Sequence, residues 1–125
     1  MQALGLRTTI YRVPDLHTAK DWYTKAFGKP PYFDEPFYVG YNIGGFELGL
    51  LPLEAPAQPA TADNVMSYWG VEHIDTAYQH LLDLGATAHE AATDVGGPLM
   101  VASVRDPWGN VIGLIFNPLF PNQEG

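Results

Sequence analysis

Val13-Pro14-Asp15-Leu16-His17-Thr18-Ala19 returns as Val71-Glu72-His73-Ile74-Asp75-Thr76-Ala77, and the step from position 13 to position 71 is 58 residues. Further on, Gly45-Phe46-Glu47-Leu48 through Leu50-Leu51-Pro52 returns near Val111-Ile112-Gly113-Leu114 through Phe116-Asn117-Pro118, where the step from 52 to 118 is 66 residues. Two copies of one strand–helix–sheet unit, the second longer by an insertion of about eight residues, account for both matches.

Working outward, Leu6 to Val13 is rich in β-branched and aromatic residues and is expected as a strand. Pro14-Asp15 breaks it and offers an N-cap. Leu16, Ala19, Tyr23, Ala26 and Phe27 then recur at helical spacing, and Gly28 stands where a C-terminal cap belongs. Tyr32-Phe33, Phe37 to Tyr41 and Phe46 to Leu51 are strand-like runs, separated by Asp34-Glu35-Pro36 and Gly44-Gly45. The second copy is expected as a strand over 64–70, a helix over 72–84 stopped by Gly85, and strands over 88–94, 99–105 and 111–116. Each half is therefore β-α-β-β-β, and the fold class is α+β, with two such modules forming a curved-sheet cup. The expected boundaries are about 6–53 for the first module, 54–62 for a Pro- and Ala-rich linker and 63–118 for the second, together one domain. Four-stranded halves leave exposed edges, so a homodimer is expected.

With 125 residues, 46% of them hydrophobic, the chain can bury a core without disulfides or a structural metal. It has no cysteine, hence no thiol nucleophile and no thiolate zinc site, and its composition fits a reducing, cytoplasmic setting. Six Lys and Arg against a net charge of −8 leave no basic stripe to neutralise phosphates, which argues against nucleic acid. No apolar run approaches the roughly 20 residues of a membrane span. A small molecule is the expected partner.

The Val-x-Asp-Leu helix start, the Phe27-Gly28 and Leu84-Gly85-Ala86 helix ends, and above all Arg105-Asp106-Pro107-Trp108-Gly109-Asn110-Val111-Ile112-Gly113-Leu114 resemble the vicinal oxygen chelate superfamily. That group includes glyoxalase I, extradiol dioxygenases, and fosfomycin-resistance and bleomycin-binding proteins. The Asp-Pro-x-Gly-Asn piece has a physical reason: Pro107 presets φ and Gly109 permits positive φ in a tight turn that feeds the last strand. The resemblance implies four inward positions, one on the first and one on the fourth strand of each half, which hold a metal ion in members that are metalloenzymes. The two repeat shifts carry them onto Thr8, Glu47, Met66 and Gly113. Only Glu47 is a strong ligand for a borderline divalent ion, so no metal and no other cofactor is expected. A one-residue slip of register brings in no better set.

Glu47 is an isolated inward carboxylate and the candidate for a catalytic or ligand-binding role; no catalytic residue can be assigned beyond it. Arg12, four residues after Thr8 and on the same strand face, is the expected partner if the carboxylate is merely structural. In glyoxalase I-like members the matching arginine holds a carboxylate, so the resemblance also implies an anion anchor at Arg12. Strand alternation adds Tyr68, Val101 and Ser103 to the ligand-binding set of Thr8, Arg12, Glu47, Met66 and Gly113. The meander aromatics, Tyr32 and Tyr38 among them, are expected as core or dimer contact. His73 and His80, seven apart, are expected on a solvated helix face, and spacing identifies no partner for His17 or His89. Three functions follow: a metal-independent small-molecule binder of the resistance or sequestration kind, which the missing ligands favour; a glyoxalase- or dioxygenase-type metalloenzyme; or a metal-free enzyme using Glu47 as base. Whether any reaction is catalysed stays open.

Overall fold

In the computed structural model the described residues are 1–2, 6–53 and 66–118. They form two compact units, the first holding 6–53 and the second 66–118. The proposed linker at 54–62, and positions 64–65 of the expected fifth strand, lie outside the described residues.

The first unit runs β1 (Thr8–Val13), α1 (Leu16–Phe27), β2 (Phe33–Glu35), β3 (Tyr38–Ile43) and β4 (Phe46–Pro52). Its sheet has the order β1-β4-β3-β2, with β1 parallel to β4 and the other pairs antiparallel. Asp15 caps α1, accepting hydrogen bonds from the His17 amide (3.0 Å) and the Thr18 hydroxyl (2.9 Å). Gly28, at φ 70°, ends the helix in the left-handed conformation that a side chain would resist. One face of the sheet takes the helix. Tyr11 and Val13, Val39 and Tyr41, and Leu48 and Leu50 are buried there with Ala19 and Tyr23 of α1. Each fully covered side chain of this size contributes on the order of 2 kcal/mol. The Tyr41 hydroxyl donates to the Lys20 carbonyl at 2.9 Å, so the polar end of that buried ring is satisfied.

Asp34 and Glu35 are not a break, as expected, but part of β2, paired to Val39 and Tyr38. The turn is confined to Pro36-Phe37. Charged residues are tolerated because β2 is an edge strand, and Lys20 reaches Asp34 at 3.0 Å.

The second unit runs β5 (Tyr68–Gly70), α2 (Ile74–Asp83), β6 (Thr87–Gly96), β7 (Leu99–Arg105) and β8 (Val111–Phe116), in the order β5-β8-β7-β6. Ile74 and Leu81 of α2 are buried with Ala102, Val104, Ile112 and Leu114. The β7–β8 turn behaves as its sequence implies: Gly109 has φ 96°, and buried Asp106 accepts from the amides of Trp108 (2.9 Å) and Asn110 (2.8 Å). Among the described residues no helix is long and apolar enough to cross a membrane.

Candidate functional site

On the face of the first sheet away from α1, strand alternation exposes Thr8, Ile10 and Arg12 of β1, and register sets Thr8 beside Glu47. From β3 the same face receives Tyr38, Gly40 and Asn42, with Asn42 opposite Glu47 and Gly40 opposite Gly49. This glycine pair is the local reason the site exists. A Cβ on Gly49 would stand 2.1 Å from the Tyr38 hydroxyl, and one on Gly40 would stand 3.1 Å from the Tyr32 ring and 3.2 Å from the Tyr38 ring. With no side chains there, both tyrosines lie down on the sheet, and the Tyr32 hydroxyl reaches the Glu47 carboxylate.

Two hydroxyls donate to Glu47. Thr8 Oγ1 donates to Oε1 at 2.8 Å and Tyr32 donates to Oε2, with Tyr38 on the same face. Partial burial raises the carboxyl pKa, but the bonds from Tyr32 and Thr8, with the influence of the Tyr38 hydroxyl, together outweigh it and hold Glu47 below its usual value. The converse acts on the tyrosines. Burial, then the Glu47 carboxylate, pushes Tyr38 up to about 12, and the bond to Glu47 also raises Tyr32. The carboxylate lies in an open pocket of about 280 Å³ lined by Arg7, Thr8, Tyr32, Asn42, Gly45, Phe46 and Glu47.

Arg12 does not satisfy Glu47. Register puts it opposite Leu51, four residues beyond the Thr8–Glu47 pair, which is roughly 13 Å along the strand. Thr8 and Tyr32, the latter expected as packing, are the partners instead, and Tyr38 lies on the same face. The signal for that face was in the sequence: alternation from Tyr38 through Gly40 reaches Asn42, opposite Glu47.

In the second unit Tyr68 and Ser103 both flank Gly113, and Val101 lies two residues from Ser103, opposite Ile115. Met66 is half-buried and precedes β5. Tyr68 faces Gly113 as Ile10 faces Gly49, and Ser103 faces Gly113 as Gly40 faces Gly49. Gly113 is therefore the counterpart of Gly49, and Glu47 corresponds to Val111. The fourth-strand shift is 64 residues, from 47 to 111, rather than 66. His89 has a partner that spacing missed, since its Nδ1 lies 2.8 Å from the hydroxyl of fully buried Ser103. His80 is exposed, whereas His73 is the N-cap residue of α2.

The family model described as Glyoxalase/Bleomycin resistance protein/Dioxygenase superfamily matches residues 5–114. The chain belongs to this superfamily. It is similar in fold to a glyoxalase-related enzyme from Fulvimarina pelagi, with 20% identity over 95% of this chain and 92% of that one, at a TM-score of 0.72. A glyoxalase/bleomycin resistance protein from Albidiferax ferrireducens T118 shares 21% identity over 90% of this chain and 98% of its own, with a TM-score of 0.73. A glyoxalase/bleomycin resistance protein/dioxygenase family enzyme from Burkholderia phytofirmans PsJN shares 17% identity over 87% and 95%, with a TM-score of 0.74. Comparison with curated protein sequences finds no significant match.

The metal that superfamily metalloenzymes hold does not suit the residues present. At the corresponding positions stand Thr8, whose hydroxyl proton is directed at Glu47, then Glu47 itself, the soft thioether of Met66, and Val111, which has no donor atom. Two of the four side chains contain neither oxygen nor nitrogen. Moving the fourth position from Gly113 to Val111 changes the residue and leaves this conclusion in place.

Proposed function

We propose that the chain is a metal-independent small-molecule-binding protein of the superfamily, of the sequestration or resistance kind, with Glu47 as the polar anchor of its ligand. The observation that carries this is the clamp itself: two hydroxyl groups orient a charged carboxylate in an open pocket. Thr8 and Tyr32 hold the anchor. Arg12, on the same strand face as Thr8, would meet an anionic group, whereas Ser103 of the second unit is fully buried with its hydroxyl 2.8 Å from His89 and is not open to a ligand. A general base at neutral pH needs a carboxyl pushed upward by desolvation, whereas Glu47 is held down. That direction favours binding over the metal-free enzyme reading, and the donor chemistry at Thr8, Met66 and Val111 favours it over the metalloenzyme one.

The absence of cysteine supports a cytoplasmic setting. The edge strands of both sheets, with Phe33 and Phe37 exposed beside β2, support a homodimer. Native mass spectrometry of the purified chain, followed by a thermal-shift screen of small molecules, tests the binding role. Ligands that stabilise the parent should lose at least about tenfold in affinity on Glu47→Gln. A panel whose hits bind the Glu47→Gln variant unchanged would remove Glu47 as the anchor.

A further inference from the structure

The directions of the hydrogen bonds at Glu47 restrict what can approach it. An ionised carboxylate only accepts, so the hydroxyl protons of Thr8 and Tyr32 point at it. What this cluster presents outward is therefore the lone pairs of two hydroxyl oxygens and the remaining acceptor capacity of the carboxylate, with no donor among them. A ligand carbonyl, ether or carboxylate gains nothing from this cluster and must look to Arg7 or Asn42 of the pocket lining for a donor. A group rich in N–H donors and carrying positive charge gains several charge-assisted bonds at once. The Tyr32 ring is 64% exposed although its hydroxyl is engaged, so an aromatic face stands open beside the anion. Arg7 lines the same pocket but makes no ion pair with Glu47, and the carboxylate charge is left for a ligand.

We infer that the Glu47 pocket takes the protonated amine of a small organic cation, held by the carboxylate and the hydroxyl oxygens of Thr8 and Tyr32. This rests on the binding role proposed above and narrows it to a ligand class.

Three probes of matched shape separate the possibilities: 2-phenylethylammonium, 2-phenylethanol and 3-phenylpropionate, titrated at pH 7 while the amide signals of Thr8, Gly40, Glu47 and Gly49 are followed by NMR. The ammonium should bind at least about tenfold tighter than the alcohol, because a hydrogen bond between charged partners is stronger than one to a neutral hydroxyl. Glu47→Gln should erase that preference, while Arg7→Ala should leave the ammonium's affinity unchanged or raise it. Equal binding of ammonium and alcohol, or tighter binding of the carboxylate, would overturn the cation assignment while leaving a binding role intact. Failure of all three probes to move these amides also overturns it, whereas the binding role stands or falls on the ligand screen. The ammonium–alcohol comparison uses the parent chain, so it holds even if the Glu47 variant does not fold.

Discussion

The two units share one chain path, yet the same register position does opposite work in each. In the first, Gly49 makes room for a side chain: the Tyr38 hydroxyl lies where a Cβ would be. In the second, its counterpart Gly113 makes room for backbone, because the Ser67 carbonyl oxygen would stand 2.4 Å from an added Cβ. The opposing β3 residue is Gly40 in one unit and Ser103, bonded to His89, in the other. The position of Tyr38 is taken by Val101, and that of Glu47 by Val111. A duplicated scaffold can thus keep its helix-covered core and give one open face a charge while the other stays mostly apolar.

The comparison breaks most readily at the glycines. Gly113→Ala should destabilise the chain by about 3 kcal/mol, since a backbone carbonyl next to a paired strand has less freedom to move aside than a side chain and the strand pair must separate. Gly49→Ala should cost less, about 1–2 kcal/mol, because Tyr38 can swing away, although Ile10 Cδ1 at 2.7 Å must also give. Urea unfolding of both variants measures the difference. Equal losses would mean that the tyrosine is as fixed as the backbone.

A double-mutant cycle sharpens the first unit's side of the contrast. Thr8→Val and Glu47→Gln should show a coupling of about 1 kcal/mol, the worth of a partly exposed hydrogen bond to a carboxylate. Arg12→Ala and Glu47→Gln should be additive within about 0.5 kcal/mol. Coupling of the second pair above that level would restore the salt bridge that register argues against.

How much of this was legible depends on how local each signal is. The Pro14-Asp15 cap, the Gly28 stop and the Asp106–Asn110 turn are each set by a few adjacent residues, and all three form as read. Strand parity was legible too, because alternation assigns faces. Alternation does not fix register beyond a multiple of two, and the apolar runs around Glu47 and Gly113 look alike when displaced by two residues. The hairpins decide it. Two residues, Gly44-Gly45, separate the closing pair Ile43–Phe46, whereas five separate Arg105 from Val111. The partners of Glu47 were missed for a related reason. Arg12 was sought along the strand carrying Thr8, while the Tyr32 hydroxyl reaches Glu47 from the segment leading into β2, over a floor that only the Gly40–Gly49 pairing reveals.

The smallest effect follows from charge and belongs to the first unit alone, since Val111 cannot titrate. Glu47 is held below its ordinary value of 4.5 in the folded chain, so its contribution to stability is fully present above that value and is lost as pH falls through the depressed folded value. The stability gap between the parent and Glu47→Gln should therefore be flat from neutral pH down to about 4.5 and close below it. Tyr38 has the opposite sign. Its pKa is raised to about 12, so its contribution is complete below the ordinary 10 and disappears as pH climbs through 12, and Tyr38→Phe should be spared that alkaline loss. Urea midpoints against pH for the three chains read both limbs. An acid gap that widens instead of closing would mean that desolvation outweighs the hydroxyls, with Glu47 raised and poised as a base, and the assignment of the pocket as a cation-binding site would give way to proton transfer.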